Sequence, residues 1–205
     1  SELLQSEQRR LRRVEALEEL REVLNLESLP IRIECYDISN IQGTSAVGSM
    51  VVFIEGHPKP AEYRRFRIKG VTGSNDFAMM QEVLKRRFWR MRQLAGDDGA
   101  LEGAASSAPT EEAPERDESF GAVPDLLIVD GGKGQVSAAH DAMRNLRVGQ
   151  IPLAGLAKRF EELYVKDISE PVVLERTSQA LSLVQRIRDE AHRFAITYHR
   201  DLRAR

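Results

Sequence analysis

The chain is poor in several things, and each shortage removes a class of protein. Its 205 residues hold one cysteine, so no internal disulfide frames the fold, and a reducing cytoplasmic setting is expected. No apolar run is long enough to cross a membrane. The opening SELLQSEQRRLRRVEALEEL is charged throughout, which is not the pattern of a signal peptide. GGKG at 131–134 looks like part of a phosphate loop, yet Gln135 follows where that loop needs more residues, which argues against a P-loop. Net charge is also small, at −2.

That near-neutrality hides an uneven distribution. The stretch 95–122 carries eight acidic residues against one basic, and 1–30 carries seven against five. What remains is basic, a bias that favours a polyanionic partner and equally suits a solvated surface. An apolar content of 41% supports one packed domain of fair size.

Periodicity divides the chain. Leu4, Leu11, Val14, Leu17, Leu20 and Leu24 share one face of a helix expected over 4–26 and ended by Pro30. IRIECYDIS, SAVGSMVVFIEG and AEYRRFRIKG are rich in β-branched and aromatic residues, with a GHPKP turn among them, and predict an antiparallel meander. Asp76 or Asn75 caps a helix over 77–94. The acidic 95–122 block lacks large apolar residues and reads as a flexible insertion. DLLIVD has the continuous apolarity of a central strand, followed by a helix over 133–146. IPLAGLAK, FEELYV and EPVVLE continue the sheet, and Thr177 or Ser178 begins a last long helix.

The order β-β-β-α-β-α-β with a closing helix predicts an α/β, ribonuclease H-like mixed sheet with helices on both faces. Residues 1–30 form an N-terminal amphipathic helix or linker, and 31–205 the domain proper. In that arrangement strands one and four are parallel neighbours. Asp37 and Asp130, each ending an apolar run, would then stand close enough to share Mg²⁺ or Mn²⁺, a geometry suited to phosphodiester hydrolysis. Either aspartate alone suits a turn or a helix cap equally well.

Among the histidines, His57 and His140 have no companion at ligand spacing. His192 borders the apolar stripe of the last helix, with His199 two turns on, and Arg186, Arg193 and Arg200 form a basic stripe there. In the GGKG turn, Gly131 and Gly132 allow close backbone approach, and Lys133 suits a phosphate or simply solvent.

The motifs ECYDISNIQG, VVFIEGHPKPAEYRRFRIKG, NDFAMMQEVLKRR, PDLLIVDGGKGQ, LAK and IRDEAHRFAITYHR resemble the C-terminal nuclease half of UvrC, the incision subunit of bacterial nucleotide excision repair. The resemblance implies a ribonuclease H-like fold and metal-dependent cleavage of damaged double-stranded DNA on the 5′ side of a lesion. By motif the triad of that family falls on Asp37, Asp130 and His192. A further family acid matches Asp76, with Asn75 where a second acid is usual, so Asp76 is expected behind the ligands or as a cap. Whole members also carry a GIY-YIG nuclease, a UvrB-binding helical pair and helix-hairpin-helix repeats, none visible here, which implies an excised, monomeric domain. Arg64, Arg65, Lys133, Arg188 and Arg193 are the expected DNA contacts. Two other readings stay open: an endonuclease V-like enzyme with a strand-end Asp and a VDG turn, and an inactive module of this fold kept for DNA or protein contact.

Overall fold

The computed structural model describes residues 1–41, 45–71, 73, 75–94, 118–159 and 161–203, with the side chains of 41, 45, 94, 118, 119 and 198–203 left aside. The acidic stretch 95–117 and the side chains of Tyr198, His199 and Arg200 therefore lie outside the described residues.

Helix α1 (Glu2–Val23) leads into β1 (Arg32–Ile41), β2 (Ser45–Ile54), β3 (His57–Pro58) and β4 (Arg64–Arg67). Helix α2 (Asp76–Leu94) follows, then β5 (Leu126–Asp130), α3 (Lys133–Asn145), β6 (Leu153–Leu156), β7 (Glu162–Val165), β8 (Val172–Val173) and α4 (Gln179–Arg203). The strands form one mixed sheet in the order β3-β2-β1-β5-β6-β7-β8, with β4 also paired to β2. β1 and β5 run parallel, as do β5 and β6, and the other pairings are antiparallel. The expected parallel contact between the first and fourth predicted strands is present. Helices α2 and α3 cover one face, while α4, with α1 against it, covers the other.

β5 explains its own position. Leu126 to Val129 are all buried, as continuous apolarity requires of a strand sandwiched between helical layers. On α4, Ala180, Leu181, Val184, Ile187, Ala191 and Ala195 turn inward at helical spacing. Ser178 caps this helix, its Oγ accepting from Leu181 N at 3.1 Å.

Two boundaries differ from expectation, each for a local reason. Helix α1 stops at Val23 because Asn25 takes a left-handed conformation at φ 53°. Leu26 N then donates to Arg21 O and Asn25 N to Glu22 O, a Schellman arrangement that satisfies the last carbonyls before Pro30 is reached. Only the end of α1 packs: Ala16, Leu17 and Leu20 are buried, whereas Leu4, Leu11 and Val14 are exposed. Within the GHPKP turn, His57 and Pro58 pair with Ile54 and Phe53 as a short strand.

A charged cluster lies within the core. Arg87 of α2 donates from Nε and Nη2 to the Glu34 carboxylate, at 3.1 and 2.8 Å. Arg32 Nε and Tyr36 Oη donate to the same carboxylate, at 2.9 and 2.6 Å. Remaining Arg87 donors reach Phe120 O and Ala122 O, so one buried guanidinium ties α2 and β1 to the segment that leads into β5. Nothing in the alternating pattern of β1 announces this, because its partner lies 53 residues away.

Candidate active site

Register builds the site. Cys35 and Tyr36 of β1 pair with Ile128 and Val129 of β5, and Asp130 is the last residue of β5. The next residue of β1 is Asp37, so the two carboxylates meet where β5 leaves β1. Asp130 ends its strand as expected. Asp37 does not: β1 continues to Ile41 because it stays paired with β2, where Asp37 faces Ser49. β1 outruns its parallel neighbour, and Asp37 sits in mid-strand.

α4 crosses β1 and β2 on the same face and delivers His192. Its Nε2 lies 3.2 Å from Asp130 Oδ2 and 4.0 Å from Asp37 Oδ2. One ligand atom from each of the three residues falls within 4.8 Å of the others. Their side chains are 15% (Asp37), 24% (Asp130) and 42% (His192) exposed, so the cluster opens to solvent on the histidine side. Burial, and then repulsion from Asp130, raise the Asp37 carboxyl from an ordinary 3.8 to about 6, with His192 and the Ile38 N–H opposing the rise. The same burial and the same two carboxylates push the Cys35 thiol up, which makes it a packed residue and not a nucleophile.

This donor set fits a divalent metal. Two carboxylate oxygens and one imidazole nitrogen converge, and a cation would relieve the repulsion recorded in Asp37.

The two carboxylates of the triad line a cleft of about 650 Å³, together with Asp76, Gly131, Gly132, Gln135, Lys158, Arg159, Tyr164 and Arg188 among others. Asp76 is thus in the cleft but outside the three-residue cluster. The helix cap is its neighbour Asn75, whose Oδ1 accepts from Ala78 N at 3.1 Å. Lys133 is exposed beside the cleft, its Nζ 5.9 Å from the Tyr164 ring centroid. Arg188 lines the cleft and donates to Ala157 O at 3.2 Å.

The other expected DNA contacts are scattered. Arg65 pairs across β2 with Ser49, which pairs with Asp37, so all three share the α4 face. Its guanidinium lies over the Phe194 ring at 3.9 Å and donates to Phe194 O. Arg193 is bound to Glu190, one helical turn back. Arg64 pairs with Met50 and so turns to the α2 face, where it donates to Ala61 O and Tyr63 O. Lys158 and Arg159, exposed on the cleft wall just after β6, were not among the expected contacts. Their signal was available: two adjacent cations at the end of an apolar strand beside the DGG turn.

A model of the UvrC RNase H endonuclease domain matches residues 21–196. The chain belongs to that family. It is 52% identical over 200 residues to the UvrABC system protein C of Parafrankia sp. (strain EAN1pec), covering 94% of this chain and 29% of that protein. It is 50% identical to the protein of the same name from Moorella thermoacetica, covering 92% of this chain and 27% of that one. The chain thus spans under a third of the length of these curated relatives. Among solved structures, human ENDOV aligns at 14% identity and TM-score 0.40, covering 82% of this chain and 85% of that one. Family membership and sheet order together make the domain ribonuclease H-like. Among the described residues no helix is long and apolar enough to cross a membrane.

Proposed function

We propose that this chain is a divalent-metal-dependent endodeoxyribonuclease domain that makes the incision on the 5′ side of a lesion in nucleotide excision repair. The observation that carries the reading is the meeting of Asp37, Asp130 and His192 in a chain of the UvrC RNase H endonuclease family. We assign these three as the metal-binding and catalytic residues, Mg²⁺ or Mn²⁺ as the cofactor, and Asp76 as an acid lining the cleft behind them. Bound between these donors, the cation supplies positive charge to a phosphodiester and lowers the pKa of a water.

The protein's own groups account for the rest. His192 Nε2, beside Asp130 and on the open side of the cluster, is placed to hold or pass a proton at the mouth of the cleft. Burial of Asp37 keeps its carboxylate poorly hydrated and oriented by the Ile38 N–H. Lys133, Lys158, Arg159 and Arg188 bring cations to the cleft or its rim for backbone phosphates, joined on the α4 face by Arg65 and Arg193. Contacts of this kind position a strand without reading its sequence.

Substrate, partner and setting follow from the same reading: damaged double-stranded DNA, a UvrB-type partner, action as a monomer in the cytoplasm, and a domain spanning 31–205 behind the helix of 1–30. The test is Asp37→Ala in the otherwise intact repair protein, supplied with its partners and a duplex bearing one lesion. Loss of the 5′ cut is expected. A 5′ cut at the normal rate would refute the reading, and partner-free cutting of deaminated DNA would favour an endonuclease V-like enzyme instead.

A further inference from the structure

Phe77 is out of keeping with its helix. Met79, Met80, Val83, Leu84 and Phe88 of α2 are buried, whereas Phe77 stays 50% exposed at the first turn. A lone exposed hydrophobic is ordinary. This one, however, follows Asp76, which lines the same cleft as Asp37 and Asp130.

Its ring is also placed with care. A Cβ on Gly134 would come within 2.4 Å of Phe77 Cζ and within 3.0 and 3.2 Å of the two Cε atoms. Those three atoms are the far tip of the ring. Phe77 therefore stands tip-first on the bare backbone of α3, and the absence of a side chain at 134 is what admits it. With its tip seated there, half of Phe77 is left exposed to solvent. The residue before Gly134 is Lys133, exposed, with its ammonium toward the Tyr164 ring. Tyr164 lies against the other side of the turn, 3.7 Å from the Cβ position of Gly132, and lines the cleft. An aromatic ring, an exposed cation and a second ring thus follow one another about the GGKG turn, next to the cleft that Asp76, Gly132 and Tyr164 line with the carboxylates.

We propose that Phe77 is a stacking platform for a nucleobase of the DNA strand entering the cleft, with Lys133 taking a phosphate of that strand. The inference deepens the nuclease reading and rests on it for the identity of the polymer. Every base has a π-face, so such a platform accepts any sequence, as a nuclease directed by damage requires. It would also hold a splayed base while the adjoining backbone lies at the carboxylates.

The test is a fluorescence titration with oligonucleotides carrying 2-aminopurine, single-stranded and duplex, in EDTA so that nothing is cut. Wild-type protein quenches the probe on binding. Phe77→Leu keeps apolar bulk but has no π-face, and is expected to lose the quenching and bind roughly 5- to 150-fold more weakly, the range of one base–aromatic stack. Phe77→His, whose ring keeps a π-face but ends short of the Cζ position against Gly134, restores quenching, which separates stacking from a folding defect. Lys133→Gln retains quenching and flattens the salt dependence by about one phosphate contact. Absence of quenching by wild-type protein, or quenching by Phe77→Leu equal to wild type, overturns the proposal. Asp37→Asn distinguishes the two readings, since it should quench normally and not cut. A wild type that stacks DNA but never cuts would remove the nuclease reading and leave the platform. Cutting and binding unaffected in Phe77→Leu would do the reverse.

Discussion

Asp37 should make the metal-free protein less stable than it need be, and the structure gives the size of the effect. Its carboxyl titrates near 6 in the folded protein against 3.8 for an ordinary aspartate. At about 1.36 kcal/mol per pH unit, the difference of about two units corresponds to roughly 3 kcal/mol. The sign follows from proton binding. Between these two values the folded state holds a proton that the unfolded state has released, so folding is favoured at low pH and the advantage is lost as pH rises through 6. Above that, the folded protein carries the full penalty of a buried carboxylate beside Asp130.

Asp37→Asn removes the charge and keeps the shape. Urea unfolding in EDTA at pH 7.5 should show the variant more stable than wild type, by at most about 3 kcal/mol because the amide is also desolvated. Near pH 4 the gap should close, since wild-type Asp37 is then protonated when folded. Adding Mn²⁺ at pH 7.5 should reverse the order: at about 1,000 times the dissociation constant a site adds about 4.1 kcal/mol to wild type, more than the gap, and the variant lacks one donor. A stability gap that does not change with pH would refute the argument, because it would show that charge at Asp37 is not what destabilises the fold. A gap of the opposite sign at pH 7.5 in EDTA would refute it more directly.

Other perturbations follow from the geometry. Arg87→Met leaves Glu34 buried with two of its donors gone and should cost about 3–5 kcal/mol in urea unfolding, out of proportion to the change in volume. Gly155→Ala drives a methyl to 2.5 Å from Gly131 O, so a loss of roughly 1–3 kcal/mol should accompany weaker metal binding measured by calorimetry. In α1, Leu20→Ala should cost about 2–5 kcal/mol whereas Leu11→Gln should change stability by no more than about 0.5, since only the last turns of the helix are packed.

Much of this was legible in the residues, and the limits have identifiable causes. Continuous apolarity in DLLIVD marks a central strand, and β-branched runs broken by Gly and Pro mark the meander. Element order alone then makes β1 and β5 neighbours. What periodicity does not carry is strand length relative to a partner, so Asp37 read as a strand end when it is a mid-strand residue, level with the last residue of β5, in a strand that runs on to Ile41. Nor does it carry absolute parity: neighbours in a strand, Arg64 and Arg65 must face opposite sides, but only pairing with Met50 and Ser49 decides that it is Arg65 that faces α4. The Glu34–Arg87 pair had no signal, because a charged residue alternating with apolar ones reads as solvent-facing. Arg193 is different, since Glu190 stands three residues before it at ordinary helical pairing distance and could have been read as its partner.

Parity also explains why one face of the sheet is chemical and the other structural. Along β1, Cys35 and Asp37 project to α4, while Glu34 and Tyr36 project to α2. A slip of one residue against β2 or β5 would exchange the two sets, placing Glu34 under α4 and Asp37 against α2. Both faces are covered and apolar, so hydrophobic pattern alone discriminates weakly between those registers. Arg87 discriminates strongly, because its fixed fork of donors finds two carboxylate oxygens only when Glu34 lies on its side. A buried ion pair contributes little net stability relative to apolar packing, yet its absence in the wrong register would leave a buried charge without a partner. The structural face thereby fixes the register of the chemical one. With that register set, Asp130, Asp37, Ser49 and Arg65 fall in a row across four strands, and the row ends at the ring of Phe194 on the helix that supplies His192.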